Sequence, residues 1–232
     1  MRRAPSLRSP VLGSAFGLLA LAATPAAAVA QDTLDVGVLK QSDQAVVQKL
    51  LYPKEGAFEL GAAVGWMPFD TYTTTPVAAL RGVLHFTEEL GAELEVSGGY
   101  SLKNHAYRLL ETPAYGIQPD AYRFLGGAMA DLQWSPVYAK LNWMGRNVIH
   151  HDIYGLAGLG GALEQAMMPD GTTTFSPGGG VGVGMRFFLG DGNVIRVQLR
   201  DDLLAQKRAK TDDWFLKQNV SLTVGFSKLK AK

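Results

Sequence analysis

The chain has no cysteine, which excludes both a disulfide framework and a lipid-modified cysteine anchor. Charge of one sign is lacking too. Twenty-two Lys and Arg stand against 21 Asp and Glu, a net of +1, so composition argues for no nucleic-acid partner. After residue 30 no window approaches the roughly 18 consecutive apolar residues of a membrane helix. A mature chain that enters a membrane must then do so as strands, since only helices and closed barrels satisfy every backbone polar group there.

Arg2, Arg3 and Arg8 precede an apolar run from Val11 to Ala23 and a small-residue close at Ala28-Val29-Ala30. This three-part shape predicts a secretory signal peptide over 1–30, cleaved after Ala30. Export without cysteine suits a bacterial periplasmic or outer-membrane protein. Residues 31–56 read as a mostly polar periplasmic lead-in, in which Ser42 caps a short helix with Val46, Val47, Leu50 and Leu51 on one face and Pro53 as its stop. About 200 residues follow the cleavage site, enough for one domain or one barrel.

The clearest pattern runs from Gly179 to Asp201. Val181, Val183, Met185 and Phe187 alternate with Gly182, Gly184 and Arg186, and after a Gly190-Asp191-Gly192 turn Ile195, Val197 and Leu199 alternate with Arg196, Gln198 and Arg200. A soluble sheet covered by a second layer would show the same alternation. Further windows of about ten residues, the length of a tilted membrane strand, are 57–66, 77–86, 92–100, 122–134, 152–162 and 216–226. The long, aperiodic segment Ser101 to Ala121 reads as the largest outer loop, with other outer loops at 163–177 and 202–215. Short turns on one side and an even strand count place Ser135 to His151 in a periplasmic connection with a short helix, because Val137, Leu141, Met144 and Val148 fit helical spacing.

The fold class expected is therefore all-β: an eight-stranded antiparallel transmembrane β-barrel with a short periplasmic helix, spanning 57–226 and followed by a C-terminal tail, 227–232. Aromatic residues gather at strand ends, with Phe58, Phe86, Trp134, Phe187 and Phe226 at one rim and Trp66, Tyr100, Tyr122, Phe124, Trp214 and Phe215 at the other. Glu59, Arg81, Glu93, Glu95, Asp131, Arg186, Arg196 and Arg200 fall on the inward face, where charges must pair. With Phe86 opposite Ala92, His85 would face Glu93, Ser97 would face Arg81, and Arg81 would lie diagonal to Glu95. A barrel of eight strands is filled by its own side chains, so the interior is expected to be plugged.

With these parts placed, the chain resembles the bacterial outer-membrane β-barrel domain family, similar in architecture to OmpA/OmpX-type barrels, over about Val46 to Phe226. The resemblance is carried by Leu51-Tyr52-Pro53-Lys54 before Phe58-Glu59-Leu60, by His85-Phe86-Thr87-Glu88, by Trp134-Ser135-Pro136-Val137-Tyr138 with Lys140, and by Gly182 through Leu189. It implies a membrane barrel and brings no catalytic residues. Val220, Leu222, Val224 and Phe226 resemble the assembly signal of such barrels, so outer-membrane lipid and the barrel-assembly machinery are the partners implied. A tail follows Phe226, where many such chains end.

Chemistry-bearing clusters are few. His150, His151 and Asp152 could ligate a metal, but adjacent histidines need not converge. His85 and Ser97 both point inward, yet the register above separates them by four residues along the strand, too far for a hydrolase pair. The runs Gly158-Leu159-Gly160-Gly161 and Gly178-Gly179-Gly180 lack the ending of a phosphate loop and read as strand glycine. No catalytic, cofactor or metal residues are assigned. The function expected is a non-enzymatic, structural or surface-interaction role in the bacterial outer membrane, with the loop ligand undefined. The alternatives are an outer-membrane lipid or acyl hydrolase, a narrow porin-like transport channel, and a soluble barrel holding an apolar ligand.

Overall fold

The structure is a computed structural model that describes residues 52–143, 147–168, 171–208, 211 and 213–230. The expected signal peptide, the Ser42 helix and residues 231–232 lie outside the described residues. Nine strands and one helix follow in order: β1 Phe58–Met67, β2 Thr73–His85, β3 Leu90–Gly99, β4 Leu102–Lys103, α1 His105–Glu111, β5 Tyr122–Trp143, β6 Asn147–Ala166, β7 Thr173–Gly190, β8 Asn193–Lys207 and β9 Trp214–Lys230. β4 is a two-residue strand on the flank of β2, opposite Thr73 and Thr74. The other eight pair antiparallel with their neighbours. β1 returns to β9, from Phe58 opposite Lys230 to Trp66 opposite Leu222, and closes the ring.

The two faces of this ring settle which solvent it meets. On the outside Leu132 and Leu159 expose 71% and 74% of their surface, while on the inside Arg186 exposes 0% and Arg196 and Arg200 2% each. A charged core inside an apolar wall is the reverse of a water-soluble fold, and a continuous apolar exterior of this size is stable only against hydrocarbon. The aromatic girdles sit as the alternation predicts at Phe58, Phe86, Trp134 and Phe226 on the short-turn rim and at Trp66, Tyr100 and Trp214 on the long-loop rim, all exposed. The turn before β8 places Asp191 and Gly192 at φ 51° and 73°, the left-handed pair that a tight hairpin requires and that Asp-Gly supplies.

Several of these expectations are corrected. Ser135 to His151 is no helical connection: β5 and β6 run through it as one hairpin, Val137 opposite Ile153 and Leu141 opposite Ile149. A bulge between Trp134 and Val137 absorbs Ser135 and Pro136, and the positions read as one helical face are divided between two strands, Val137 and Leu141 on β5 and Val148 on β6. The one helix among the described residues, α1, lies at the other end inside the Ser101–Ala121 loop, capped by Asn104 accepting from the Tyr107 N–H. The segments 163–177 and 202–215 are largely strand, because beyond the apolar belt pairing continues through residues polar on both faces, such as Gln165, Thr173 and Thr174. β9 likewise continues past Phe226, so Ser227 to Lys230 belong to the wall and pair with β1.

Tyr122 and Phe124 point inward, not to the rim, since a second bulge between Phe124 and Gly126 reverses the parity of the first turn of β5. The β2–β3 register also differs by two residues. Leu84, not Phe86, faces Ala92, and Arg81 stands directly opposite Glu95. Phe86 has already entered the turn, where its N–H and that of Thr87 both donate to the Leu90 carbonyl.

Candidate functional site

All eight charges assigned to the inward face are buried, and they assemble into a layered network that fills the lumen. Nearest the short-turn end, Arg186 donates from Nε to Asp152 (2.9 Å), from Nη1 to Glu59 (3.2 Å) and from Nη2 to Ser135 Oγ (2.6 Å). In the middle, Arg196 joins Glu93 (2.5 Å) to Glu59 (3.3 Å), and Arg81 joins Glu95 (2.6 Å) to Thr223 Oγ1 (2.8 Å). Toward the long loops Arg200 makes a two-pronged pair with Asp131, at 2.7 and 3.0 Å, and holds Asp202 at 2.6 Å. Above it Lys217 and Asn219 converge on Glu164, at 2.6 and 3.2 Å.

Glycine makes room for these long side chains. Tyr154 lies flat over Gly184, where any side chain would displace the ring, and from there its hydroxyl donates to Gln198 (2.9 Å) and accepts from Arg196. Gly158 and Gly180 flank the Arg200–Asp131 pair, and a Cβ at either would overlap Asp131 or Asp202. The glycine runs are therefore strand positions, and their function is space.

The short-turn end is stoppered by the chain itself. Pro53 ends an approach that turns Lys54 into the lumen, where its ammonium meets Asp152 at 2.7 Å, and the carboxylate of Glu88 accepts from the Lys54 and Glu55 N–H groups. Burial pushes the Lys54 ammonium below its ordinary range, and the Asp152 carboxylate opposes that shift. Around it Ala57, Phe188, Val194 and Leu229 form an apolar layer on which Tyr52 stacks, 5.2 Å from Phe188, with Tyr138 at 6.1 Å. Tyr52-Pro53-Lys54, His85 to Glu88, Ser135 to Tyr138 and Arg186 to Phe188 are parts of the four motifs singled out in the sequence, and all four meet at this stopper.

At the opposite end Met67, Val77, Phe124, Met129, Ala162 and Leu204 close the lumen with an apolar layer, next to a void of about 20 Å³, space for about one water. Above it a cleft of about 560 Å³ opens between the β1–β2 loop and the tops of β5 and β9. Gln206, fully buried on β8, has no partner for either amide atom among the described residues. Replacing an unpaired buried amide by an apolar group of similar length removes its desolvation penalty. Gln206→Met is accordingly expected to leave stability unchanged or raise it by about 1 kcal/mol in urea titrations of the folded barrel. A loss of that size would instead show that Gln206 holds a polar partner.

The tempting catalytic and metal groups do not converge. His85 lies 3.3 Å from Glu59 and 3.3 Å from Arg186, while Ser97 faces Ala79, six residues or about 20 Å along the strand from His85. His150 meets the Tyr138 hydroxyl at 2.9 Å, His151 faces Phe187 on the outer side, and Asp152 is taken by Lys54 and Arg186. Sequence reasoning misses Lys54, Ser135 and Tyr154 as members of the network: Lys54 lies before the first strand and Ser135 in a bulge, where no alternation marks them, whereas Gln198 shares the inward parity of Arg196 and Arg200.

No protein-family model matches the sequence, and no curated protein does. Solved structures do. The chain is similar to Neisserial surface protein A (9% identity, TM-score 0.45, covering 74% of this chain and 95% of that one) and to the outer membrane protein OprG from Pseudomonas aeruginosa (12%, 0.46, 78% and 98%). It is also similar to Ail, the attachment invasion locus protein of Yersinia pestis (13%, 0.40, 76% and 99%). At such identities the architecture stands on the strand pairing itself.

Proposed function

We propose that this chain is a non-enzymatic barrel of the bacterial outer membrane, exported by its first 30 residues, with a structural or surface-interaction role. Its short-turn, stoppered end faces the periplasm and its long loops face the cell surface, following the usual arrangement of such barrels. The observation that carries the reading is the inverted distribution of charge, with paired arginines and carboxylates within and leucine and valine without. Lipid is then the solvent of the wall, and the barrel-assembly machinery is the partner that inserts it, reading the Val220 to Phe226 stretch of β9. Contact with other molecules falls to the loops, chiefly Ser101 to Ala121 with α1. Apolar layers at both ends and ion pairs between them support a closed lumen over a channel. A hydrolase would need a base free to activate a serine, and the His85 ring is held between Glu59 and Arg186.

Two measurements test this. Unboiled protein from the outer-membrane fraction is expected to run at a different mobility from boiled protein on a detergent gel, and purified barrel is expected to be silent in planar bilayers. Soluble protein without a shift would overturn the membrane reading. Unitary conductance steps would overturn the closed lumen.

A further inference from the structure

Along most of the outer wall the outward positions are leucine, valine or aromatic, but across β3, β5 and β6 they shrink. Two outward rows run side by side: Val96 opposite Ala128, which is itself opposite Gly161, and Gly98 opposite Gly126, which is opposite Leu163. The small members leave a depression of about 590 Å³, flanked by Val96, Leu163 and Phe175, in the volume range of roughly 300–1,000 Å³ of small-molecule pockets. The Phe175 ring rests against Gly161, where a Cβ would collide with it. The depression continues the lipid-facing belt, and at that depth an unfilled hollow forfeits its dispersion contacts, so its natural occupant is an acyl chain.

What distinguishes this hollow from ordinary wall is the group above it. Arg123 stands three residues toward the long-loop rim from Gly126, about 10 Å along the strand. Its guanidinium lies 4.3 Å over the exposed Tyr100 ring and its Nε donates to the Ser101 carbonyl at 3.3 Å. Those contacts orient the planar fork while its two terminal nitrogens have no acceptor among the described residues. A guanidinium so held matches a phosphate with two parallel hydrogen bonds.

We propose that this wall seats one outer-leaflet lipid, a phosphorylated glycolipid with one acyl chain in the depression over Ala128 and Gly161 and its phosphate on Arg123. The inference rests on the membrane reading above and adds to it a specific lipid site.

Native mass spectrometry tests it on full-length mature barrel, first shown folded by its heat-dependent gel shift and then mixed in detergent with lipid A or with phosphatidylethanolamine. One lipid A is expected to be retained in preference to phosphatidylethanolamine. Arg123→Gln is expected to weaken that retention about tenfold, the worth of a charge-assisted contact. Ala128→Phe, which fills the hollow, is expected to weaken it by a similar factor. Leu199→Phe, on the outward face of β8, is expected to change nothing. Equal retention of both lipids, or a folded Arg123→Gln that holds lipid A as the unaltered chain does, would overturn the seat. Should Ala128→Phe not fold, Arg123→Gln alone decides. A chain that gives no gel shift at all fails the membrane reading instead.

Discussion

Arg200→Met is expected to cost the folded barrel about 3–5 kcal/mol, the range for breaking a buried ion pair from one side. Asp131 is buried and Arg200 is its one hydrogen-bonded or ion-paired partner among the described residues, through both prongs. Removing the guanidinium strands that carboxylate inside a wall with no water to turn to. The double variant Arg200→Met/Asp131→Leu is expected to recover the part of the loss that comes from Asp131, since a buried pair replaced by apolar groups of similar size is often neutral, while Asp202, held by the same guanidinium, still loses its partner. Arg186→Met is expected to cost less than Arg200→Met. When Arg186 goes, Asp152 still has Lys54 and Glu59 still has Arg196 and Ser227. Urea titrations in lipid vesicles, followed by tryptophan fluorescence, measure all three. Equal losses for the Arg200 single and double variants would show that the stranded Asp131 carboxylate is not the source of the loss.

Phe188→Ala is expected to remove a similar amount, about 3–5 kcal/mol, typical of emptying a buried phenylalanine site. Its ring is 4% exposed, is stacked under Tyr52 and meets Tyr138, and shares the apolar layer with Val194 and Leu229. The truncation should also unseat the stopper. With the Tyr52 ring unsupported, the Lys54 ammonium, held against desolvation by Asp152, gains by returning to water. Cleavage after Lys54 by a lysine-specific protease is thus expected to be slow in the unaltered barrel and fast in Phe188→Ala. Unchanged protection would mean that the Glu88 carboxylate, accepting from two backbone N–H groups, holds the segment by itself.

Legibility in the sequence followed the solvent. Where a strand lies between lipid and lumen, as at Phe58 to Trp66 or Val181 to Arg200, the two faces differ so sharply that strand, parity and inward charges could all be read from the letters. Past the rims the contrast fades. Gln165, Thr173 and Lys207 are polar in a polar setting, and nothing in them separates a continuing ladder from a loop. Bulges defeat the reading differently. At Leu125 and at Ser135-Pro136 the backbone inserts residues that pairing does not count, so Phe124 changes sides, while Val137, Leu141 and Val148 imitate a helix because they straddle the β5–β6 hairpin. Register is the third gap. Opposite charges predicted that Arg81 and Glu95 would meet, but whether directly or diagonally depended on how tightly Thr87 and Leu90 close their turn, which hydropathy does not encode.

The network also ties the two ends of the chain together. Glu59 sits on the first strand, yet its partners Arg186, Arg196 and Ser227 lie 127, 137 and 168 residues later. A sheet that has zipped from either end but not yet met itself has Glu59 on one margin and the two guanidinium groups on another. The closure of β1 on β9 and the neutralisation of Glu59 therefore depend on one set of long-range contacts, and a chain that lost the ring would lose the partners of its buried carboxylate with it.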